Sequence, residues 1–172
     1  MPTPTIRALT PDDAPAYAAL RREMLADAPW AFMSSLTDDR GVNEAEMRAS
    51  LARPGFAVLG AFDAANRLLA VAGLNRESKA KRAHIAGIWG VYVTPAARGQ
   101  ALSRAVIQAA IATARTWRGV ESLALSVSEN SPAAQRVYTS LGFVAWGHEP
   151  DALRIGDRSY AELHMRLSLD RP

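Results

Sequence analysis

The chain contains no cysteine, which excludes disulfides, thiolate metal ligands and a cysteine nucleophile together. The redox compartment is therefore unreadable. Histidine is scarce: His84, His148 and His164 have no short ligand spacing between any two, which argues against a zinc site, and no metal is expected. No apolar run approaches the roughly 20 residues that a membrane helix requires. The opening MPTPTIRALTPDD lacks a basic patch followed by an apolar core, so the expectation is a cytoplasmic protein with no membrane partner. An excess of one charge is also missing. Net charge is +3 although the pI is about 9.7, because arginines stay protonated to high pH while carboxylates nearly balance them. The densest basic run, Arg76 to Arg82 (RESKAKR), has no interleaved aromatic for base stacking. It is expected to be a solvated loop, and no nucleic-acid partner is expected.

What is present suits one ordinary globular domain spanning 1–172. Hydrophobic residues make up 49% and charged residues 22%, with no long low-complexity stretch, and a chain of this length can bury one substantial core.

Thr5 to Leu9 is a strand candidate. Thr10, Pro11, Asp12 and Asp13 then supply N-cap, first-turn proline and first-turn acid, so a helix follows. Tyr17, Leu20 and Met24 recur at helical spacing and are expected to face the core, with Arg21, Arg22 and Glu23 outward. Pro29 ends this helix. Trp30 to Arg40 has no clear period, and is either the border of a binding cleft or a loop folded onto the core. Asn43 to Leu51 is a second, short helix stopped by Pro54 and Gly55.

Phe56 to Phe62 and Leu68 to Leu74 are apolar runs joined by the polar turn DAANR, a hairpin. Ile85 to Val93 adds a third strand to this antiparallel meander. Gly87 and Gly90 interrupt it, as glycines do at bulges and sites of close approach. An amphipathic helix begins near Ala101, with Leu102, Val106, Ala109, Ala110, Thr113 and Trp117 on its broad apolar face. Gly119 closes it. Ser122 to Val127 is the next strand and Pro132 to Leu141 the next helix, with Gly142 placed to terminate it. Phe143 to Trp146 and Tyr160 to Leu167 are the last strands, separated by a polar connection ending in GDRS. Strands mixed with helices and one strand, helix, strand crossover give an α/β or α+β sheet, partly antiparallel and partly parallel.

Within this order, Ile85 to Leu102 (IAGIWGVYVTPAARGQAL) can hold an anion, because a strand runs through an Arg and Gly turn straight into a helix. The first N–H groups of a helix lack internal partners and sit at the positive end of its dipole. The turn has no GK followed by Ser or Thr, which leaves a nucleotide P-loop without its lysine and magnesium ligand.

These residues resemble the GNAT superfamily of N-acetyltransferases. The family turn reads Q or R, x, x, G, x, G or A; here Arg98, Gly99, Gln100, Ala101, Leu102 and Ser103 correspond, with Ala101 and Ser103 departing from the preferred residues. A second block downstream, ENSPAAQRVYTSLGF, places Asn130, Ala133 or Ala134, Tyr138, Gly142 and Phe143 at family positions. The resemblance implies a mixed, mostly antiparallel sheet of six to seven strands flanked by about four helices, with a splayed central parallel pair. It implies acetyl-CoA as cosubstrate: the pyrophosphate on the backbone of the turn, the pantetheine arm along Val91, Tyr92 and Val93, and a further contact from Asn130 or Ser131.

The implied activity is direct transfer of acetyl to a primary amine of a small molecule or peptide, and a homodimer is possible. The alternative is a non-catalytic CoA-binding regulatory module of the same fold. Tyr138 is either a helix tyrosine packed on the sheet or, as the resemblance implies, the acid that protonates the departing thiolate. The base is open: Ile85 to Thr94 contains no carboxylate, and His84, Glu149 and Glu162 each have a surface or hairpin reading as well. The family's acceptor site is commonly shaped by the stretches that correspond to Trp30–Asp39 and Glu149–Ser159.

Overall fold

The fold is that of a computed structural model describing residues 4–169; the ends of the expected domain, 1–3 and 170–172, lie outside the described residues. Its seven strands are β1 (Thr5–Ala8), β2 (Phe56–Phe62), β3 (Leu68–Arg76), β4 (Ile85–Val93), β5 (Ser122–Ser128), β6 (Val144–Ile155) and β7 (Arg158–Ser168), and its four helices are α1 (Ala14–Asp27), α2 (Glu44–Leu51), α3 (Leu102–Thr116) and α4 (Pro132–Ser140). One sheet runs in the order β1-β2-β3-β4-β5-β7-β6. Every neighbouring pair is antiparallel except β4 and β5, since the crossover through α3 brings the chain back in the same direction. The mixed sheet with one parallel pair is the one expected.

Local chemistry sets the boundaries. Asn43 accepts from Ala45 N and Glu46 N and so starts α2. Asp63 Oδ1 accepts from Ala65 N and Arg67 N at 2.9 Å, which turns the β2–β3 hairpin. Alternate residues of the strands then feed two cores on opposite faces. Leu59, Ala61, Ala70, Ala72 and Leu74 pack with Val106, Ile107, Ala110 and Ile111 of α3. Val58, Phe62 and Val71 pack with Tyr17, Leu20 and Met24 of α1 and Met47 of α2.

The structure corrects three expectations. Arg21 does not face outward: it is 6% exposed, because it stands one turn from both Tyr17 and Met24 on the buried stripe and finds Asp39 as a partner inside. The connection between the last two strands is mostly strand. Its polar residues pair across the long β6–β7 hairpin, bulging between Glu149 and Leu153, while Phe143 lies before β6 in the core. Arg76 ends β3 and donates to Ala83 O at 3.1 Å, so the basic run is anchored at its first residue.

β1 is fastened to the start of α1 by Arg7, which forms two parallel bonds to the Asp13 carboxylate at 2.7 and 2.8 Å while covering the Phe62 ring at 3.8 Å. Hydrogen bonding from Arg7 holds the Asp13 carboxyl at about 2, below its usual 3.8. A lowered carboxylate pKa stabilises the fold above the unfolded value and loses that contribution as pH falls through the folded value. Arg7→Gln should therefore cost about 1 kcal/mol at pH 7. The gap to the parent should narrow between pH 4 and pH 2, as read by urea denaturation at each pH.

Candidate active site

The parallel ladder between β4 and β5 holds only over Ile85–Gly87, opposite Ser122–Ala124. Beyond Gly87 the strands part. On its other side β4 carries a bulge: Gly73 pairs with Trp89 and Val71 with Tyr92, so Ala72 faces both Gly90 and Val91. Gly90 adopts φ +57° there, the left-handed conformation that such a bulge asks of glycine. Trp89 lies flat on the neighbouring strand, where a Cβ on Gly73 would fall 2.3 Å from the indole.

A slot of about 80 Å³ opens between the parted strands, bordered by Trp89, Gly90, Val91, Ser126, Ser128 and Tyr138. Tyr138 reaches it from α4, held edge-on by Phe143 at 5.7 Å between ring centroids. The ring is buried and its hydroxyl has no hydrogen-bond partner among the described residues. Burial pushes the phenol well above its ordinary value, so the proton stays on at neutral pH.

The slot continues into a larger cleft of about 510 Å³, lined among others by Val91, Tyr92, Val93, Arg98, Ser103 and Asn130. Ser131 lines the same cleft. At its end the turn enters α3 through Gly99 at φ +79° and Ala101 at φ +57°. Among the described residues, no backbone N–H from Gly99 to Arg104 donates to a carbonyl. Nothing lies within 4 Å of a Cβ built on Gly99. A run of free N–H groups at the positive end of a 15-residue helix is an anion cradle. Leu102 contributes only backbone to it, since its side chain is in the core, and Gln100 also borders a different cleft beside Asp63.

Arg98 does not hang free. It is ion-paired with Asp27, donates to Val93 O at 3.3 Å, and lies over the Tyr92 ring. The Tyr92 hydroxyl lies 3.1 Å from both the Glu23 and the Asp27 carboxylates, which share its single proton. The Arg98 hydrogen bond holds Asp27 below the usual carboxylate range, whereas burial and the two carboxylates push the Tyr92 phenol up. Neither Asp27 nor Glu23 is among the site residues expected from the sequence, where Glu23 is read only as an outward-facing residue of α1. Their i, i+4 spacing on α1 was the available signal, but their partners lie some seventy positions away.

A second cleft, of about 500 Å³, lies on the other side of Trp89 beneath the segment that follows α1. Arg21 and Asp39 form its inner wall as an ion pair at 2.5 Å with both side chains 7% exposed. Trp30 to Arg40 is thus a cleft border: Phe32 lies near the Arg21 guanidinium and edge-on to Tyr92. Of the candidate bases, His84 is exposed before β4 and Glu149 is bonded to His164 at 2.8 Å. Glu162 is 7% exposed and paired in register with Ser128, one strand from the slot. Among the described residues no group of three or more His, Asp or Glu is placed to hold a metal ion, and no helix is long and apolar enough to cross a membrane.

A model of the acetyltransferase (GNAT) family matches residues 17–143, from α1 to the residue before β6. The chain belongs to the GNAT family. It is 30% identical over 146 residues to a mycothiol acetyltransferase of Salinispora tropica, covering 83% of this chain and 45% of that protein. A Salinispora arenicola protein of the same name is 32% identical, again with 83% and 45% covered. The chain thus spans under half the length of these curated relatives. A GCN5-related N-acetyltransferase from Kribbella flavida superposes with TM-score 0.81 at 26% identity, covering 97% of this chain and 98% of the other. A Salmonella typhimurium protein solved with its cofactor acetyl-CoA superposes at 0.84 and 23% identity, covering 99% and 96%, a likeness that speaks for the GNAT fold alone.

Ala101 is the residue of the turn that its backbone tolerates least. A left-handed alanine costs about 1 kcal/mol that glycine does not, so Ala101→Gly should raise stability by up to that amount in thermal unfolding. Its affinity for CoA by calorimetry should stay equal or rise, because every N–H donor is retained.

Proposed function

We propose that this protein is an N-acetyltransferase that moves an acetyl group from acetyl-CoA directly to a primary amine of a small molecule or peptide. The observation that carries this is the continuity of three features: the unpaired N–H run from Gly99 to Arg104, the cleft along Val91–Val93, and the slot that ends on Tyr138. The cradle fits a pyrophosphate, and the unpaired edge of β4 fits an amide-bearing arm that runs antiparallel or parallel to it. Bound acetyl-CoA supplies the activated thioester carbonyl.

The chain's own groups then have separate tasks. Backbone N–H groups of Gly99, Gln100, Ala101, Leu102 and Ser103 hold the pyrophosphate, and the Ser103 hydroxyl and Asn130 line the path beside it. Arg98 adds positive charge at the mouth while staying tethered to Asp27. The β4 edge at Val91, left without a β5 partner by the splay, offers N–H donation to a carbonyl oxygen that gains charge during transfer. Tyr138 places a hydroxyl that nothing else among the described residues uses at the slot, where it donates its proton to a departing thiolate although burial makes it a weaker acid than a free phenol.

Among the described residues no carboxylate or histidine borders the slot itself, and this favours one second reading, a CoA-binding module without turnover. Tyr138→Phe separates the two. For the enzyme, kcat falls on the order of 10²-fold while the Kd for acetyl-CoA stays within about twofold, as read by thiol release and calorimetry. Normal turnover by the variant would reduce Tyr138 to a core residue. Acetyl-CoA binding without thiol release across a broad amine panel would establish the module.

A further inference from the structure

The cleft on the far side of Trp89 is built for a chemical class that the transferase reading leaves open. Resting on that reading, we propose that it binds an acceptor amine that also carries a carboxylate: an amino acid or a close analogue with an apolar side chain.

Its floor has unused donors. Tyr17 and Arg21, one turn apart on α1, are 1% and 6% exposed. The Tyr17 hydroxyl and the Arg21 Nε are buried without a hydrogen-bond partner among the described residues. An arginine Nε–H can only donate, so what is missing there is an acceptor. The rest of the Arg21 guanidinium reaches Asp39 and, at 3.0 Å, only the Met24 thioether. It also approaches Gly90, with its Nη1 3.3 Å from where a Cβ would stand, so the floor adjoins the bulge that opens the slot.

Charge in the cleft points the same way. Asp39 is engaged by Arg21 and Gly41 N, and the exposed Asp38 accepts Ser35 N. Arg40 is paired with Glu46. Arg53 lies 5.2 Å from the Phe56 ring centroid and has no carboxylate partner among the described residues. An incoming carboxylate thus meets a guanidinium without an ion-pair partner among the described residues at the rim and unmatched donors below. Between these two levels Phe56 and Trp89 form an aromatic wall with ring centroids 5.5 Å apart. Trp89 borders both this cleft and the slot.

Two measurements on the whole chain test this. In the first, the protein is titrated with N-acetyl-L-methionine and N-acetyl-L-phenylalanine and with their methyl esters, by thermal shift and calorimetry. The acids should bind at least tenfold more tightly than the esters, and Arg53→Ala should remove that preference while leaving the Kd for acetyl-CoA unchanged. In the second, thiol release from acetyl-CoA is followed with free amino acids, their methyl esters and simple alkylamines. The acids should show at least tenfold higher kcat/KM than their esters, and Arg53→Ala should lower kcat/KM for the acids alone.

Equal binding of acids and esters, or no binding of either, overturns the proposal. So does better turnover of alkylamines or esters, or an Arg53→Ala loss shared equally by all substrates. Selective binding of the acids with no thiol release from any amine upholds the proposal for the cleft and fails the transferase reading instead, so the two are distinguishable.

Discussion

The parting of β4 from β5 is the constraint on which the rest of the site depends. Two parallel strands that pair over Ile85–Gly87 and then separate leave one strand edge unpaired inside the protein, an arrangement most sheets avoid because buried N–H and C=O groups must be satisfied. Gly90 makes it possible. Its left-handed bulge adds a residue to β4 without breaking the ladder to β3, so the strand bends away on one side while staying paired on the other. The slot, its unpaired edge and the path to the turn before α3 all follow from that single extra residue.

The α1 helix ties the two clefts to this strand. From successive turns it sends Arg21 to Asp39 on the side of the second cleft, and Glu23 and Asp27 to Tyr92 and Arg98 on the other. The buried Arg21–Asp39 pair contributes little net stability, since desolvation offsets most of its attraction, and the more exposed Arg98–Asp27 pair is weakened by solvent. Their effect here is positional. Arg21 holds the segment after α1 against the bulge, and Asp27 fixes the turn that carries the N–H cradle.

Much of the fold was legible because it is written in local patterns. The three strands of the meander, the apolar stripe of α3 and the terminating Gly142 obey periods and turn chemistry that act over a few residues. The order of elements then leaves few sheet topologies. The hairpin of β6 and β7 was partly missed for the converse reason. Most of its residues 147–159 are exposed and many are polar, and pairing with each other across the hairpin makes them strand. Arg21 was misplaced because charge suggested solvent, although its phase with Tyr17 and Met24 said otherwise. Tertiary structure provided Asp39, eighteen residues away, and with it the condition for burial.

For the site the division is similar. The Arg and Gly turn and the block from Asn130 to Phe143 carry the family resemblance in their residue types, and the sequence alone pointed to an anion at the start of α3. That inference needs only helix-end chemistry, which is local. It did not contain the left-handed φ of Ala101, the unpaired edge of β4, the unbonded hydroxyl of Tyr138 in the slot, or the cleft beyond Trp89. These depend on which strands separate and which buried donors find no acceptor, and both are decided by contacts between residues far apart in the chain.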